Sequence, residues 1–363
     1  MNSLIRSRSR MQWIGYVTFA AVLAIAPLFL SDFRLNLLGK FLSLAILALG
    51  LCLIWGYTGI LSLGHGVYFG LGAYCMAMYL KLESAGGHLP DFMEWSGLTA
   101  LPWFWKPFAS PVFALGAAIF IPVLLAALIG YLTFRNRIRG VYFSILSQAL
   151  VIILVTLFIG KQEYTGGTNG LTNFSTVFGF GLAAPEVQVA IYWITLAVLG
   201  LVFTFCLWLV HSRLGRLLIA IRDGENRVRF CGFNPTGYSV FVYCLSAAFA
   251  GLSGVLFVLQ VGIISPAMMG IIPSVEMVLW VAVGGRQSLI GAVIGTIVTN
   301  GAKSFFSESY PEIWLILLGA SFVIIVLFLP NGLVGLFEKI KGKLFITRER
   351  GAKDEQATHT VVS

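Results

Sequence analysis

Charge is what this 363-residue sequence has least of. Only 11% of its residues are Asp, Glu, Lys or Arg, against 58% hydrophobic. At a mean hydropathy of +0.90, a soluble domain cannot cover so much apolar surface with so few charges. The expectation is an all-α polytopic bundle of about 8–10 membrane spans, some short or broken. No C-x-x-C spacing links Cys52, Cys75, Cys206, Cys231 and Cys244, so neither a metal cluster nor a disulfide framework is indicated and no cofactor is called for. His65, His88, His211 and His359 form no H-E-x-x-H. Asn300-Gly301-Ala302-Lys303-Ser304 lacks the Gly-Lys pair and upstream spacing of a Walker A loop, so the chain does not hydrolyse ATP by that route and is not read as an enzyme. No intramembrane row of carboxylates supports a proton- or sodium-driven carrier. The net charge of +9 is not a nucleic-acid footprint. Its basic residues sit in short loops, where they orient the chain and meet anionic lipid.

Apolar runs cover 12–30, 37–55, 59–80, 111–134, 141–159, 188–210, 238–262, 275–285, 288–302 and 313–330. The first follows Arg6, Arg8 and Arg10, and Ala24-Ile25-Ala26 resembles a signal-peptidase site. The run continues to Leu30, long enough to span, and charge parity requires that it be retained. The 81–110 and 160–187 loops are each net −1, whereas 135–140 holds three arginines and 211–237 is net +3. Basic loops are cytoplasmic, so the N-terminus, 135–140, 211–237 and the basic tail 337–363 share one side. That parity holds only if 275–302 is two segments split at Gly284-Gly285-Arg286, about 11 and 15 residues long. Short, glycine-interrupted segments mark a transport pathway. Glu276 at the start of the first reads as helping to cap its helix with Ser274.

A second glycine-rich stretch runs from Gly56 to Tyr74. Gly66 and Gly70 form a small-xxx-small face for helix packing. Alternatively, the helix starts late or breaks near Ser62–Gly66 and offers backbone groups to a polar solute. Both segments carry G-x-x-S-L, Gly59–Leu63 and Gly285–Leu289, a weak repeat. On this reading Ser62, Gly64, His65, Gly66, Gly284, Gly285 and Ser288 border a solute path. The reading favoured for His65 by itself is a neutral imidazole bonded to a nearby carbonyl. LPWFW (residues 101–105) reads as an interfacial anchor. YTGGTNGLTN (164–173) reads as a turn or as a docking surface for an extracytoplasmic partner.

The 211–237 loop carries the most specific pattern. Leu214, Leu217, Leu218 and Ile221 fall at i, i+3, i+4, i+7, so the first half is an amphipathic helix. Asp223-Gly224 interrupts it, and a second short helix is predicted from Glu225 to Cys231 with Gly232 as its cap and Pro235 beyond. Such a helix is what a permease needs in order to be pushed by a soluble motor, and Arg222, Asp223, Glu225, Arg227 and Gly232 are the contact candidates. The other reading is a basic loop that only fixes topology.

LSLGHGVYFGLGAY, TGGTNGLTNF, RLGRLLIAIRDGENRVRFCGF and SAAFAGLSGVL resemble the permease subunits of ABC importers for branched-chain amino acids, from about residue 40 to 335. LCLIWGYTGILSLGHG, LPDFMEW, LPWFW and Asn169–Phe174 resemble the urea-type branch of that family, the larger M-type permease. The resemblance implies a homologous second permease, two cytoplasmic ATPase subunits and a periplasmic substrate-binding protein, in a bacterial cytoplasmic membrane. The coupling pattern departs from the general Glu-Ala-Ala…Gly form, with Glu225-Asn226-Arg227 and Gly232 in its place. A path of backbone amides and hydroxyls suits neutral, polar urea. An amino-acid zwitterion needs its carboxylate met by a helix N-terminus or a cation, which leaves branched-chain amino acids as the alternative. A passive urea channel would need no coupling helix.

Overall fold

The computed structural model describes residues 2–309, 316, 319–320, 323 and 332–335, with side chains from residue 15 except at 308–309. The expected span at 313–330 and the tail 337–363 therefore fall largely or wholly outside the described residues. Helices run α1 Asn2–Phe29, α2 Asp32–Leu51, α3 His65–Ser84, α4 Asp91–Trp95, α5 Pro111–Arg135, α6 Val141–Gly160, α7 Gln162–Thr165, α8 Pro185–His211, α9 Arg213–Phe230, α10 Pro235–Val261, α11 Ile271–Gly284 and α12 Leu289–Ser309. Among the described residues the only sheet is the hairpin of β1 Thr176–Val177 and β2 Phe180–Gly181. Among the described residues six helices are long and apolar enough to cross a membrane, and the protein is an all-α polytopic bundle.

Burial sorts the spans. The apolar windows of α2 and α10 are 83% and 78% buried, whereas those of α5, α6 and α8 are 22–28% buried. Helices that are apolar all round belong at a centre, and α2, α3 and α10 form it. Their backbones approach closely because small residues face each other: a Cβ on Gly72 would stand 2.3 Å from the Gly251 carbonyl oxygen.

Three features depart from the hydropathy reading. The second span continues past Leu51 as a π-turn, Cys52–Tyr57. The chain is then non-helical until α3 begins at His65, so the run read from residue 59 starts its helix late. The 275–302 region is indeed split, and α11 and α12 fold back on each other, with Gly284 against Gly291 and Trp280 against Gly295. Its second arm, however, is 21 residues, a full-length span and not a short segment.

Contacts sort the loops to two ends. Arg139 meets Glu225 and Ser239, Arg222 meets Gly56, and Gly56 lies against Arg286. Gly332 lies against Gly285. Tyr16 stacks on Phe203, and Tyr192 donates to the Leu23 carbonyl, so α1 runs antiparallel to α8 and starts at this basic end. At the opposite end, Leu171 pairs with Ile264, Lys81 meets Asp91 and the Thr172 carbonyl, and Trp105 bonds the Tyr164 carbonyl. YTGGTNGLTN is thus a built turn held against 264–265, with positive φ at Gly166, Gly167, Gly170 and Asn173.

Candidate functional site

The 211–237 loop folds as its sequence predicts. Ser212 caps α9 by accepting from the Leu214 and Gly215 amides. Gly224 leaves the helical region (φ −172°, ψ 70°), which kinks α9 into an amphipathic first half and a short second half. The second half closes at Gly232 (φ +85°), whose N–H bonds the Arg229 carbonyl while the Phe233 N–H bonds the Val228 carbonyl. This is the double bond of a glycine-terminated helix, in a conformation that favours glycine.

The five predicted coupling residues divide into two groups. Arg222 and Glu225 point into the protein. Arg222 Nη1 donates to the Gly56 carbonyl at 2.7 Å, and Glu225 is held between Arg139 (2.7 Å) and Arg229 (2.9 Å). Burial disfavours the Arg139 guanidinium charge and lowers its pKa, while Glu225 opposes that shift. Asp223, Arg227 and Gly232 are exposed. The Arg222 side chain hydrogen-bonds the Asp223 carboxyl and holds its pKa below the usual carboxylate range. Sequence reasoning missed the most conspicuous group of the second half: Phe230 is 92% exposed, and Phe233 beside it is 48% exposed. Only the place of Phe230 in the last turn of the short helix, and of Phe233 just past its cap, could have signalled this.

Behind α9 lies the π-turn. The chain leaves the helix after Tyr57, so the Gly56 carbonyl has no helical N–H to accept, and Arg222 supplies the donor. The α11–α12 turn docks on the same element. Cys52 Sγ reaches the Arg286 carbonyl at 3.2 Å, Tyr57 Oη donates to the Gln287 carbonyl at 3.1 Å, and the Arg286 guanidinium stands 5.9 Å over the Trp55 ring. Gly285 turns with φ +112°, and Ser288 Oγ accepts from the Gly291 N–H at the start of α12. The two G-x-x-S-L segments thus each leave a helix through a positive-φ glycine, Gly59 and Gly285.

The seven predicted path residues are not brought to one place. Gly284, Gly285 and Ser288 sit at the basic end, with the turn docked on Cys52–Tyr57. Ser62, Gly64, His65 and Gly66 sit deeper, beside Ser246, about three turns into α10. His65 is fully buried, with Nδ1 2.9 Å from Ser62 Oγ and Nε2 2.7 Å from Ser246 Oγ; its partners are hydroxyls, not a carbonyl. A Cβ on Gly64 would stand 2.6 Å from the Ser147 carbonyl oxygen. On Gly66 a Cβ would stand 2.4 Å from Ser274 Oγ, and on Gly70 it would meet Met269. The small-residue face is therefore packed, against 266–274. Along 59–64 burial alternates, with Gly59, Leu61 and Leu63 turned outward and Ile60, Ser62 and Gly64 inward.

Glu276 requires a correction. It does not cap α11; Ser274 Oγ instead donates to the Gly270 carbonyl. The Glu276 carboxylate, 5% exposed, takes Lys303 Nζ from α12 at 2.6 and 2.8 Å. The sequence, read as a failed nucleotide loop at Lys303, gave no hint of this pair. It lines a cavity of about 540 Å³ with Lys40, Asn300, Phe257 and Trp280.

The chain belongs to the family of branched-chain amino acid transport system permease components, whose pattern matches residues 33–326. It is 26% identical over 336 residues to the high-affinity branched-chain amino acid transport system permease protein LivM of Salmonella typhimurium, covering 86% of this chain and 73% of LivM. It is 23% identical over 304 residues to the corresponding permease protein BraD of Pseudomonas aeruginosa, covering 80% of this chain and 91% of BraD. The ribose import permease protein RbsC of Escherichia coli is 26% identical over 211 residues, 54% of this chain and 63% of RbsC. No solved structure matches. The chain is accordingly a multi-pass permease of a bacterial importer family.

Proposed function

We propose that this chain is the membrane-spanning permease subunit of an ATP-binding-cassette importer that moves urea, or another short amide, inward across the bacterial cytoplasmic membrane. The observation that carries the reading is the second half of α9. It is held to the bundle by Arg222 and Glu225, yet offers Phe230, Phe233 and Arg227 to solvent. An exposed aromatic pair on an anchored helix suits a cleft in a soluble motor. Two cytoplasmic ATPase subunits dock there, a homologous second permease completes the membrane unit, and a periplasmic binding protein delivers solute at the opposite end. The termini are then cytoplasmic, with the basic end. The path residues retain their proposed role, with the outward-turned side of 59–63 facing the solute and Ser62, Gly64, His65 and Gly66 forming the wall behind it. Urea is supported by the LPDFMEW, LPWFW and Asn169–Phe174 resemblance.

Branched-chain amino acids are the second reading, favoured by two observations. LivM and BraD are named for that cargo. The cavity with Lys40 and the Glu276–Lys303 pair also offers both charges to a zwitterion.

The test is uptake into proteoliposomes holding both permeases and the ATPases. Uptake of labelled urea that requires ATP and binding protein, and is lost in Phe230→Ser while membrane insertion persists, supports the proposal. Leucine uptake without urea uptake selects the second reading. Urea flux without ATP rejects the coupling assignment.

A further inference from the structure

A second cleft, of about 530 Å³, lies at the end of the bundle opposite α9, between α2, α8 and α10. Its size falls in the ~300–1,000 Å³ range of small-molecule sites. Three carboxamides line it: Asn36, Gln188 and Gln260. Two of them are engaged. Asn36 Nδ2 donates to Gln188 Oε1 at 3.2 Å, and Gln188 Nε2 donates to the Leu182 carbonyl at 2.6 Å.

Gln260, in the last turn of α10, is different. It is 3% exposed, and neither its Nε2 nor its Oε1 has a hydrogen-bond partner. Buried amide groups are almost always paired, so an orphan on a cleft wall needs an explanation. The neighbouring helix is shaped around it. A Cβ on Gly39 would lie 2.5 Å from Nε2 and 2.8 Å from Oε1, so this amide occupies space that any other residue at 39 would fill. Lys40, on the same cleft, adds an ammonium donor, with Nζ 5.8 Å over the Phe257 ring.

We infer that Gln260 is the recognition group of a capture site for a small neutral amide, at the end where the binding protein releases solute. Both amide atoms are covered where the side chain lies on Gly39, so the amide turns toward the cleft to pair: Oε1 then accepts an N–H of the solute and Nε2 donates to the solute carbonyl. This is the cyclic two-bond pairing of one primary amide with another, which urea makes with the N–H that lies on the same side as its oxygen. The inference rests on the urea reading of the cargo. A carboxylate alone would leave Oε1 unmatched, because it accepts but does not donate, so a zwitterion would have to bring its ammonium to that oxygen, whereas a neutral amide matches both atoms with one planar edge.

The experiment measures urea uptake by the complete transporter in proteoliposomes, with wild-type, Gln260→Met and Gln260→Glu permeases. Losing two neutral hydrogen bonds raises KM roughly tenfold, the equivalent of ~1.4 kcal/mol, with kcat changed by less than about twofold. Selectivity supplies a readout that a packing role would not move. In 1,3-dimethylurea a methyl replaces the pairing N–H, so wild type discriminates against it and Gln260→Met discriminates less. Unchanged KM and unchanged selectivity in Gln260→Met, or in Gln260→Glu should the methionine variant not assemble, overturns the site and leaves the cargo reading standing. Failure of the wild-type complex to take up urea overturns the cargo reading and the site with it.

Discussion

Gly56→Ala tests the joint between α9, the π-turn and the α11–α12 turn. A Cβ at 56 would lie 1.8 Å from the Arg286 carbonyl oxygen and 2.9 Å from its carbon. Both are backbone atoms, so no side-chain rotation relieves the clash. An ordinary carbon–oxygen contact is about 3.3–3.6 Å, so the turn must retreat by about 1.5 Å. That retreat breaks the bonds from Cys52 Sγ to the Arg286 carbonyl and from Tyr57 Oη to the Gln287 carbonyl. Two net hydrogen bonds at ~0.5–1.5 kcal/mol each, with overpacking at ~1–3 kcal/mol, predict a loss of about 2–6 kcal/mol. Gly200→Ala is the control: its Cβ meets nothing within 4 Å inside α8, so helix propensity should make it stabilising by about 0.5–1 kcal/mol. The assay is thermal unfolding of the purified permease, followed by solute-stimulated ATP hydrolysis of its complex with the proposed ATPase subunits. If Gly56→Ala unfolds no earlier than Gly200→Ala, the close approach of the π-turn to the hairpin turn is refuted.

The remaining predictions concern the same face and the buried pair. Gly232→Ala should lower stability by about 1 kcal/mol through backbone strain alone, since its Cβ meets nothing, and Gly232→Asn should recover part of the loss; equal melting temperatures for all three would refute the cap. Lys303→Met leaves Glu276 buried with a broken pair and should cost about 3 kcal/mol, whereas adding Glu276→Met should restore stability in a double-mutant cycle. In a cysteine-free background, cysteines at 137 and 286 should label from one side of the membrane and a cysteine at 94 from the other; opposite sides for 137 and 286 would refute the shared end. Asp223, held low by Arg222, should titrate below the usual carboxylate range, so its favourable pairing is present at neutral pH and is lost as pH falls through the folded value. In Arg222→Gln the pH midpoint at which the Asp223 carboxyl infrared band titrates should move back up, and an unchanged midpoint would refute the pairing.

Most of the fold was legible because hydropathy and helix punctuation are local. The α9 kink followed from Asp223-Gly224, its end from Gly232, and the α11–α12 split from Gly284-Gly285 combined with charge parity. The length of α12 was not legible. Asn300, Lys303 and Ser304 end the apolar run near 302, but the helix continues because Lys303 finds Glu276 across the hairpin. That compensation is 27 residues away in sequence and invisible to any window. The Arg139–Glu225 clasp, 86 residues apart, was hidden in the same way. Gln260 was hidden differently: one amide at the end of an apolar run carries no periodicity, and only its missing partners distinguish it. The π-turn left no signal either, because its extra residue sits inside uniformly apolar sequence.

The π-turn nonetheless lies where the proposed motor contact and the proposed solute path meet. A helix that ends leaves carbonyls without partners, and any element that satisfies one becomes part of that helix's end. At Gly56 the partner is Arg222, one residue before the exposed part of α9. On the other side of the same turn, Cys52 and Tyr57 hold the Arg286–Gln287 carbonyls of the hairpin. Beyond it, Gly59–Gly64 runs non-helically to His65, which is tied to α10 through Ser246. A push on α9 must therefore move the π-turn with it or give up the Arg222 bond. Arg222→Ala separates these cases: the helix keeps its Glu225–Arg139 anchor but loses its hold on the turn. If force passes through the cap, ATP hydrolysis persists in that variant while uptake falls. If uptake and hydrolysis both stay normal, the connection runs elsewhere, and the Gly56 carbonyl needs only a donor, which water can supply.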